Sequence, residues 1–171
     1  MLFRSLSAGA LACIEPESGR PVWERELPDD ARELALYEGA VLLLAGGQAL
    51  SFSIGDGAPR APVPLPWAEQ LVCEDDGALI AAGPGGAAMR LDGRKRWAIA
   101  AAGDTHAPAL LHRGVVLLHR GPVELIDAAE GLPLAQLPPA RAAALGMDLS
   151  CALIQDDAVS LHRLATHLSL L

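Results

Sequence analysis

The chain has 171 residues, 51% of them apolar, and a formal net charge of −8, with 13 lysines and arginines against 21 acidic residues. Such a composition supports a buried core, excludes global disorder and disfavours nucleic acid and anionic membranes as partners. No apolar run reaches the roughly 18 to 20 residues of a membrane-spanning helix, so the sequence predicts no membrane span.

The three cysteines, Cys13, Cys73 and Cys151, are odd in number and far apart. They match neither a disulfide framework nor the close spacing of a zinc site, which favours a reducing, cytoplasmic compartment. A lipoprotein signal is the alternative, because residues 1–13 combine an arginine, a short apolar run and a small residue before Cys13. Acylation of Cys13 would place the protein in the periplasm or cell envelope.

The first predicted elements are a strand, a turn and a second strand. Apolar residues 10–14 lead into the turn 15–19 (EPESG), where proline presets the turn and Gly19 accepts a positive φ. Val22 and Trp23 then resume a strand of good β-formers, so a hairpin is expected.

Short apolar runs separated by glycine-rich turns continue to the end of the chain and predict strands in five units of about 1–27, 31–65, 68–100, 106–138 and 141–171. The predicted strands are Leu2–Ser5, Ala10–Ile14 and Pro21–Leu27 in the first unit; Glu33–Tyr37, Val41–Ala45, Ala49–Ile54 and Ala58–Leu65 in the second; Glu69–Cys73, Ala78–Ala82, Ala87–Leu91 and Arg94–Ile99 in the third; Ala107–Leu111, Val115–His119, Pro122–Ile126 and Leu132–Leu137 in the fourth; and Ala142–Leu145, Cys151–Ile154, Ala158–His162 and His167–Leu170 in the fifth.

The spacing of these units predicts an all-β fold, a β-propeller of about five small four-stranded blades. Corresponding third-strand residues recur about every 35 to 39 residues, which suits four short strands plus turns. A lone blade buries too little surface, so the blades must pack against their neighbours. Because the first unit has three predicted strands, its sheet is expected to be completed by the C-terminal segment or by another chain. The helical alternative applies to Asp30–Leu44 and Pro139–Met147, which contain good helix formers and plausible caps.

The segment from Cys13 to Trp23 resembles the repeat of pyrroloquinoline-quinone (PQQ)-like β-propellers, loosely Ala-x-Asp-x-x-Thr-Gly-x-x-x-Trp. Gly19 and Trp23 match, with glutamate and serine at the aspartate and threonine positions. The fourth unit matches at Asp127 and Gly131, with alanine in place of tryptophan, and the second unit keeps Gly57. The third unit matches in shortened form, at Asp92, Gly93 and Trp97.

The resemblance implies structural roles for these residues. In the family, the tryptophan of the last strand packs on the neighbouring blade, so Trp23 and Trp97 are expected to dock blades together. The matched glycines and aspartates, Gly19, Gly57, Asp92, Gly93, Asp127 and Gly131, are expected to belong to the same docking contacts. Family members that bind the quinone have a larger ring, a calcium site and an aromatic cap. This chain is short and 4% aromatic, so no cofactor is expected.

Other candidate sites have more ordinary readings. The histidines, at 106, 112, 119, 162 and 167, lack the spacing of a metal motif. The run 83–86 (GPGG) lacks the Gly-Lys-Ser/Thr of a phosphate loop and reads as a hairpin turn. The acidic pairs at 29–30, 75–76 and 156–157 read as solvated turn residues. No catalytic or metal-binding residue is therefore predicted.

Repeat architecture without a recognisable reactive group favours a non-catalytic scaffold for protein interaction or assembly, with a protein partner or self-association. The alternative is a small-ligand or carbohydrate-binding propeller, or a glycan-active enzyme, with its site at the central channel. Carboxylates or histidines converging on one mouth of the channel would distinguish that alternative.

Overall fold

The computed structural model describes residues 9–74, 78–92, 96–103, 108–146 and 148–163 in full, and residues 2–6 by their backbone. In this part of the chain, eighteen strands form five antiparallel sheets, each made of consecutive strands. The all-β prediction is confirmed. Both segments with a helical alternative form strands over their described residues. No helix among the described residues is long and apolar enough to cross a membrane.

Each sheet is one blade, and the strands are numbered in chain order. Blade 1 contains β1 (Leu2–Leu6), β2 (Ala10–Ile14) and β3 (Pro21–Glu26); blade 2 contains β4 (Arg32–Tyr37), β5 (Ala40–Ala45), β6 (Gln48–Ser53) and β7 (Val63–Pro64); blade 3 contains β8 (Gln70–Cys73), β9 (Leu79–Gly83), β10 (Ala87–Arg90) and β11 (Ala98–Ile99); blade 4 contains β12 (Leu110–His112), β13 (Val115–His119), β14 (Val123–Asp127) and β15 (Pro133–Leu137); and blade 5 contains β16 (Ala142–Leu145), β17 (Ser150–Ile154) and β18 (Val159–Arg163).

The predicted fourth strands differ most from the observed ones. In blade 2, β7 covers only Val63–Pro64 instead of the predicted Ala58–Leu65, because the prolines at 59, 62 and 64 have no backbone N–H to donate. In blade 3, β11 is likewise two residues long. The predicted strand His167–Leu170 lies outside the described residues, so blade 5 is described with three strands.

The blades pack face to face in chain order. The first strands of blades 2 to 5, β4, β8, β12 and β16, are neighbours and form the inner layer. Four apolar clusters join blade 1 to 2, 2 to 3, 3 to 4 and 4 to 5. Among the described residues, no cluster joins blade 5 to blade 1, and we refer to this row of five blades as the arc.

The central blades are buried on both faces. In β13, Val116 and Leu118 pack against blade 3, whereas Val115 and Leu117 pack against blade 5. Successive side chains of a strand point to opposite faces, so a strand covered on both sides reads as an unbroken apolar run. The run VVLLH of β13 is wholly buried for this reason. Its last residue, His119, has its pKa lowered by burial.

The three described strands of blade 1 and the three of blade 5 occupy different positions in a complete blade. The β2–β3 pair of blade 1 has a register shift between Cys13 and Ile14, and the β14–β15 pair of blade 4 has the same shift between Leu125 and Ile126. The strands of blade 1 therefore correspond to the second, third and fourth strands of a complete blade, whereas β16 to β18 correspond to the first three. The side of β4 that faces blade 1 has no inner strand against it in the described structure, and Leu34 and Leu36 are exposed there.

Candidate interaction surface

The two tryptophans singled out in the sequence make the same contact in different blades. Trp23 on β3 donates its Nε1–H to the carbonyl oxygen of Ile54 in blade 2, at 2.8 Å. Trp97, next to β11, donates to the carbonyl oxygen of Ala128 in blade 4, at 3.0 Å. Each indole therefore lies against the turn that follows the third strand of the next blade.

Glycine is required where each indole lies. A Cβ added to Gly57 would lie 2.7 Å from Trp23, and one added to Gly131 would lie 2.5 Å from Trp97. Both glycines have a positive φ, as does Gly19 in the same turn of blade 1. A Cβ on Gly19 would meet nothing within 4 Å. The three turns match, and Gly19 differs in having no indole above it.

Of the predicted aspartates, Asp127 organises a local turn, whereas Asp92 also links blade 3 to blade 2. Asp127 accepts a hydrogen bond from the Glu130 N–H at 2.7 Å. Asp92 accepts from the Leu79 N–H at 2.7 Å and from the Tyr37 hydroxyl of blade 2 at 2.5 Å. Burial alone would raise the pKa of Asp92, but these hydrogen bonds hold it below its usual value. Burial and the Asp92 carboxylate raise the pKa of Tyr37. Gly93 lies outside the described residues.

Gln70 forms a further link between blades that the sequence did not reveal. Its Nε2–H donates to the carbonyl oxygen of Ala109 at 3.1 Å, and its Oε1 accepts from the Ala109 N–H at 2.9 Å. The amide thus satisfies both backbone groups of a residue 39 positions away. No local pattern marks this pairing, because the contact is between blades 3 and 4.

Replacing Gln70 with leucine is expected to lower the free energy of unfolding by about 1–3 kcal/mol, because two backbone groups lose their partner. Gln136, which is exposed on β15, provides the matched control, and Gln136→Leu is expected to change stability by less than about 0.5 kcal/mol. Urea unfolding measures both. Equal small effects would show that the bridge contributes nothing.

The described histidines, His112, His119 and His162, belong to no metal-binding cluster. Within the described ranges, no group of three or more His, Cys, Asp or Glu could hold a metal ion. His112 lies 3.9 Å from Glu74, and His162 lies 3.0 Å from the Ser160 hydroxyl. His106 and His167 lie outside these ranges.

The glycine-rich run and the acidic pairs belong to turns. Gly85 and Gly86 are buried, and a Cβ on Gly86 would lie 2.2 Å from Arg120, so blade 4 occupies the space that a phosphate would need. Asp30 accepts from the Gly46 N–H at 2.7 Å, and Asp156 pairs with Arg141 at 2.5 Å. The pair 75–76 lies outside the described residues. Cys13, which the lipoprotein alternative would acylate, is fully buried between blades 1 and 2.

One cavity lies where the chain enters the first strands of blades 2 to 4. It has a volume of about 260 Å³, and Glu33 and Glu69 border it together with Gln70 and Pro108. Both glutamates are exposed to solvent. Two carboxylates from adjacent blades thus border one hollow, although the Gln70 amide is already engaged by Ala109.

The most distinctive surface is the side of blade 5 that points away from blade 4. It consists of alternate residues on the three strands, and we refer to it as the terminal face: Ala142, Ala144, Ala152, Ile154, Val159 and Leu161. Ile154, Val159 and Leu161 are 50%, 75% and 71% exposed.

The corresponding residues of blade 4 are completely covered. In blade 4, Val123 pairs with His119, and Leu125 pairs with Leu117, across strands β13 and β14. In blade 5, Val159 pairs with Ile154, and Leu161 pairs with Ala152, across strands β17 and β18. Val159 and Leu161 therefore hold the positions of Val123 and Leu125. Val123 and Leu125 are 0% exposed because blade 5 packs on them. The terminal face is therefore built like a face that another blade covers, but no described residue covers it.

The opposite end of the arc shows the complementary feature. The side of blade 1 that points away from blade 2, the leading face, carries Ala10, Ala12 and Ile14 on β2 and Glu24 and Glu26 on β3. Ile14 is half-buried, whereas Ile126, its counterpart in blade 4, is buried by blade 3. The leading face thus corresponds to a surface that receives a preceding blade.

A groove of about 500 Å³ lies beside β18, between the last strands of blades 4 and 5. Leu134, Leu137 and Leu161 are among the residues that line it. In a four-stranded blade, the fourth strand would pair along this edge of β18.

Comparison with known proteins shows the fold. The sequence matches no family model and no curated protein. Hsv2 of Kluyveromyces marxianus superposes with a TM-score of 0.71 at 12% identity over 93% of this chain and 55% of its own. BamB of Moraxella catarrhalis superposes with a TM-score of 0.62 at 15% identity over 92% of this chain and 52% of its own. Both are β-propellers, so the predicted propeller is confirmed, whereas no family match tests the PQQ-like repeat.

The comparisons also show how much of each propeller the chain covers. The chain spans just over half the length of Hsv2 and BamB. A computationally designed protein, Ika4, is matched over 91% of its own length, but with a TM-score of 0.55 and 79% coverage of this chain. The blades of this chain follow part of the larger propellers more fully than they follow the designed protein.

Proposed function

We propose that the chain is a non-catalytic assembly module that binds a protein through the terminal face. The observation that carries this proposal is the contrast between buried Val123 and Leu125 in blade 4 and exposed Val159 and Leu161 in blade 5. Contiguous exposed apolar surface on a soluble domain marks an interaction site. A sheet face of this kind is complementary to another apolar sheet face.

Association with a protein partner should therefore depend on Leu161. The wild-type chain, Leu161→Arg and Leu132→Arg are each tagged and used to retain proteins from extracts of their own source. Leu132 is the control because it is 58% exposed on blade 4, outside the terminal face. A protein retained by the wild type and by Leu132→Arg, but at least about 30-fold less by Leu161→Arg, supports the proposal. Equal retention by all three chains would contradict it.

The alternative function, binding of a small ligand at the channel, remains a prediction. The observation that favours it is the placement of Glu33 and Glu69 at one cavity. Two carboxylates suit a cationic or polyhydroxylated ligand. Loss of such binding in Glu69→Gln, with Leu161→Arg binding normally, would support this alternative.

A further inference from the structure

We propose that the partner of the terminal face is the leading face of a second copy of this chain, so that two arcs close head to tail into one ring. This inference rests on the proposed function, since it names the occupant of the same surface. Three observations support it, namely the repeated interface, the extent of the arc and the charges at its two ends.

The repeated interface supplies the first argument. Each of the four contacts between blades packs apolar residues on the second or third strand of one blade against apolar residues on the second or third strand of the next. Blade 5 retains its second and third strands, β17 and β18, and blade 1 retains its own, β1 and β2. A fifth contact of the same kind, between blade 5 of one copy and blade 1 of the other, needs no new geometry.

The extent of the arc supplies the second argument. The chain matches 55% of one Hsv2 chain, 57% of another and 52% of BamB, each of which is a propeller. If the chain occupies the same share of a closed ring as it does of these chains' length, its two ends lie on roughly opposite sides of the ring axis. Two copies related by a two-fold axis would complete the turn, and each terminal face would meet the partner's leading face.

Acidic side chains lie on β3 of the leading face, and an arginine lies on the terminal face. Glu24 and Glu26 are exposed on the leading face. On the side of β17 and β18 that forms the terminal face, the charged side chain is Arg163, which is 78% exposed and 3.6 Å from Asp148. Opposite charges favour the head-to-tail pairing, whereas two terminal faces packed together would place arginines against each other.

The chain of 171 residues is expected to sediment as a species of twice 17.8 kDa when concentrated and to dissociate on dilution. Leu161→Arg and Ile14→Arg should each raise the dissociation constant by about 100-fold, because each buries a charge in both copies of the contact. Leu132→Arg should leave it unchanged. Far-UV circular dichroism checks that each variant is folded, and Val159→Arg replaces Leu161→Arg if that variant is not.

Mixing the two interface variants tests the arrangement itself. The Ile14→Arg copy keeps an intact terminal face and the Leu161→Arg copy an intact leading face, so the mixture should recover heterodimers in native mass spectrometry, held by one contact. A dimer abolished by Leu161→Arg but unaffected by Ile14→Arg would show face-to-face packing and overturn the proposal. A wild-type chain that stays monomeric at high concentration would also overturn it, whereas a different protein still retained through Leu161 would leave the assembly function standing.

Discussion

Trp23→Ala is expected to lower the free energy of unfolding by about 3–5 kcal/mol, a large share of the 5–15 kcal/mol typical of a domain. The indole is buried among Leu11, Cys13 and Val41, and its truncation leaves a cavity between blades 1 and 2. It also removes the hydrogen bond to Ile54. The effect should therefore exceed that of any surface substitution.

Trp23→Phe separates the two contributions. Phenylalanine keeps most of the apolar area and loses the Nε1–H donor, so the cost should fall to about 1–2 kcal/mol. Urea unfolding followed by far-UV circular dichroism measures both variants without depending on tryptophan fluorescence. A loss below about 1 kcal/mol for Trp23→Ala would show that the indole does not hold the blades together.

Gly131→Ala is expected to destabilise the chain by about 2–4 kcal/mol. The positive φ contributes about 1–2 kcal/mol for a residue with a Cβ, and the overlap with Trp97 at 2.5 Å adds the rest, because the indole must move. Gly57→Ala should behave similarly, since its Cβ would lie 2.7 Å from Trp23.

Gly19→Ala is the matched control for this prediction. Gly19 closes the same turn, with φ of 69° against 71° for Gly131, but has open space where a Cβ would lie. Its substitution should cost only the backbone contribution of about 1–2 kcal/mol. Similar losses for Gly19→Ala and Gly131→Ala would mean that indole docking makes no measurable contribution.

The residues that the sequence marked are those with local signatures. A tryptophan four residues after a turn glycine can be recognised from a single unit, and Trp23 and Trp97 occupy corresponding places in the structure. Strand positions were also predictable from the glycine turns, except for two fourth strands: proline shortened β7, and β11 is also only two residues long.

The polar contacts of Tyr37 and Gln70 between blades were not predictable. Tyr37 and Asp92 are 55 residues apart, and Gln70 and Ala109 are 39 apart, so no spacing rule connects them. The exposure of the terminal face was not predictable for another reason. Val159 and Leu161 alternate with polar residues as any strand facing a core would, and sequence alone does not show whether a further blade covers them.

The most direct test of this account is hydroxyl-radical footprinting of Leu125 and Leu161, quantified by mass spectrometry in dilute and concentrated protein. Leu125, fully buried beneath blade 5, should remain unreactive at both concentrations. Leu161, which is 71% exposed, should react in dilute protein and become protected when concentrated. A Leu161 as unreactive as Leu125 in dilute protein would show that a single chain covers its own terminal face, and would contradict the account.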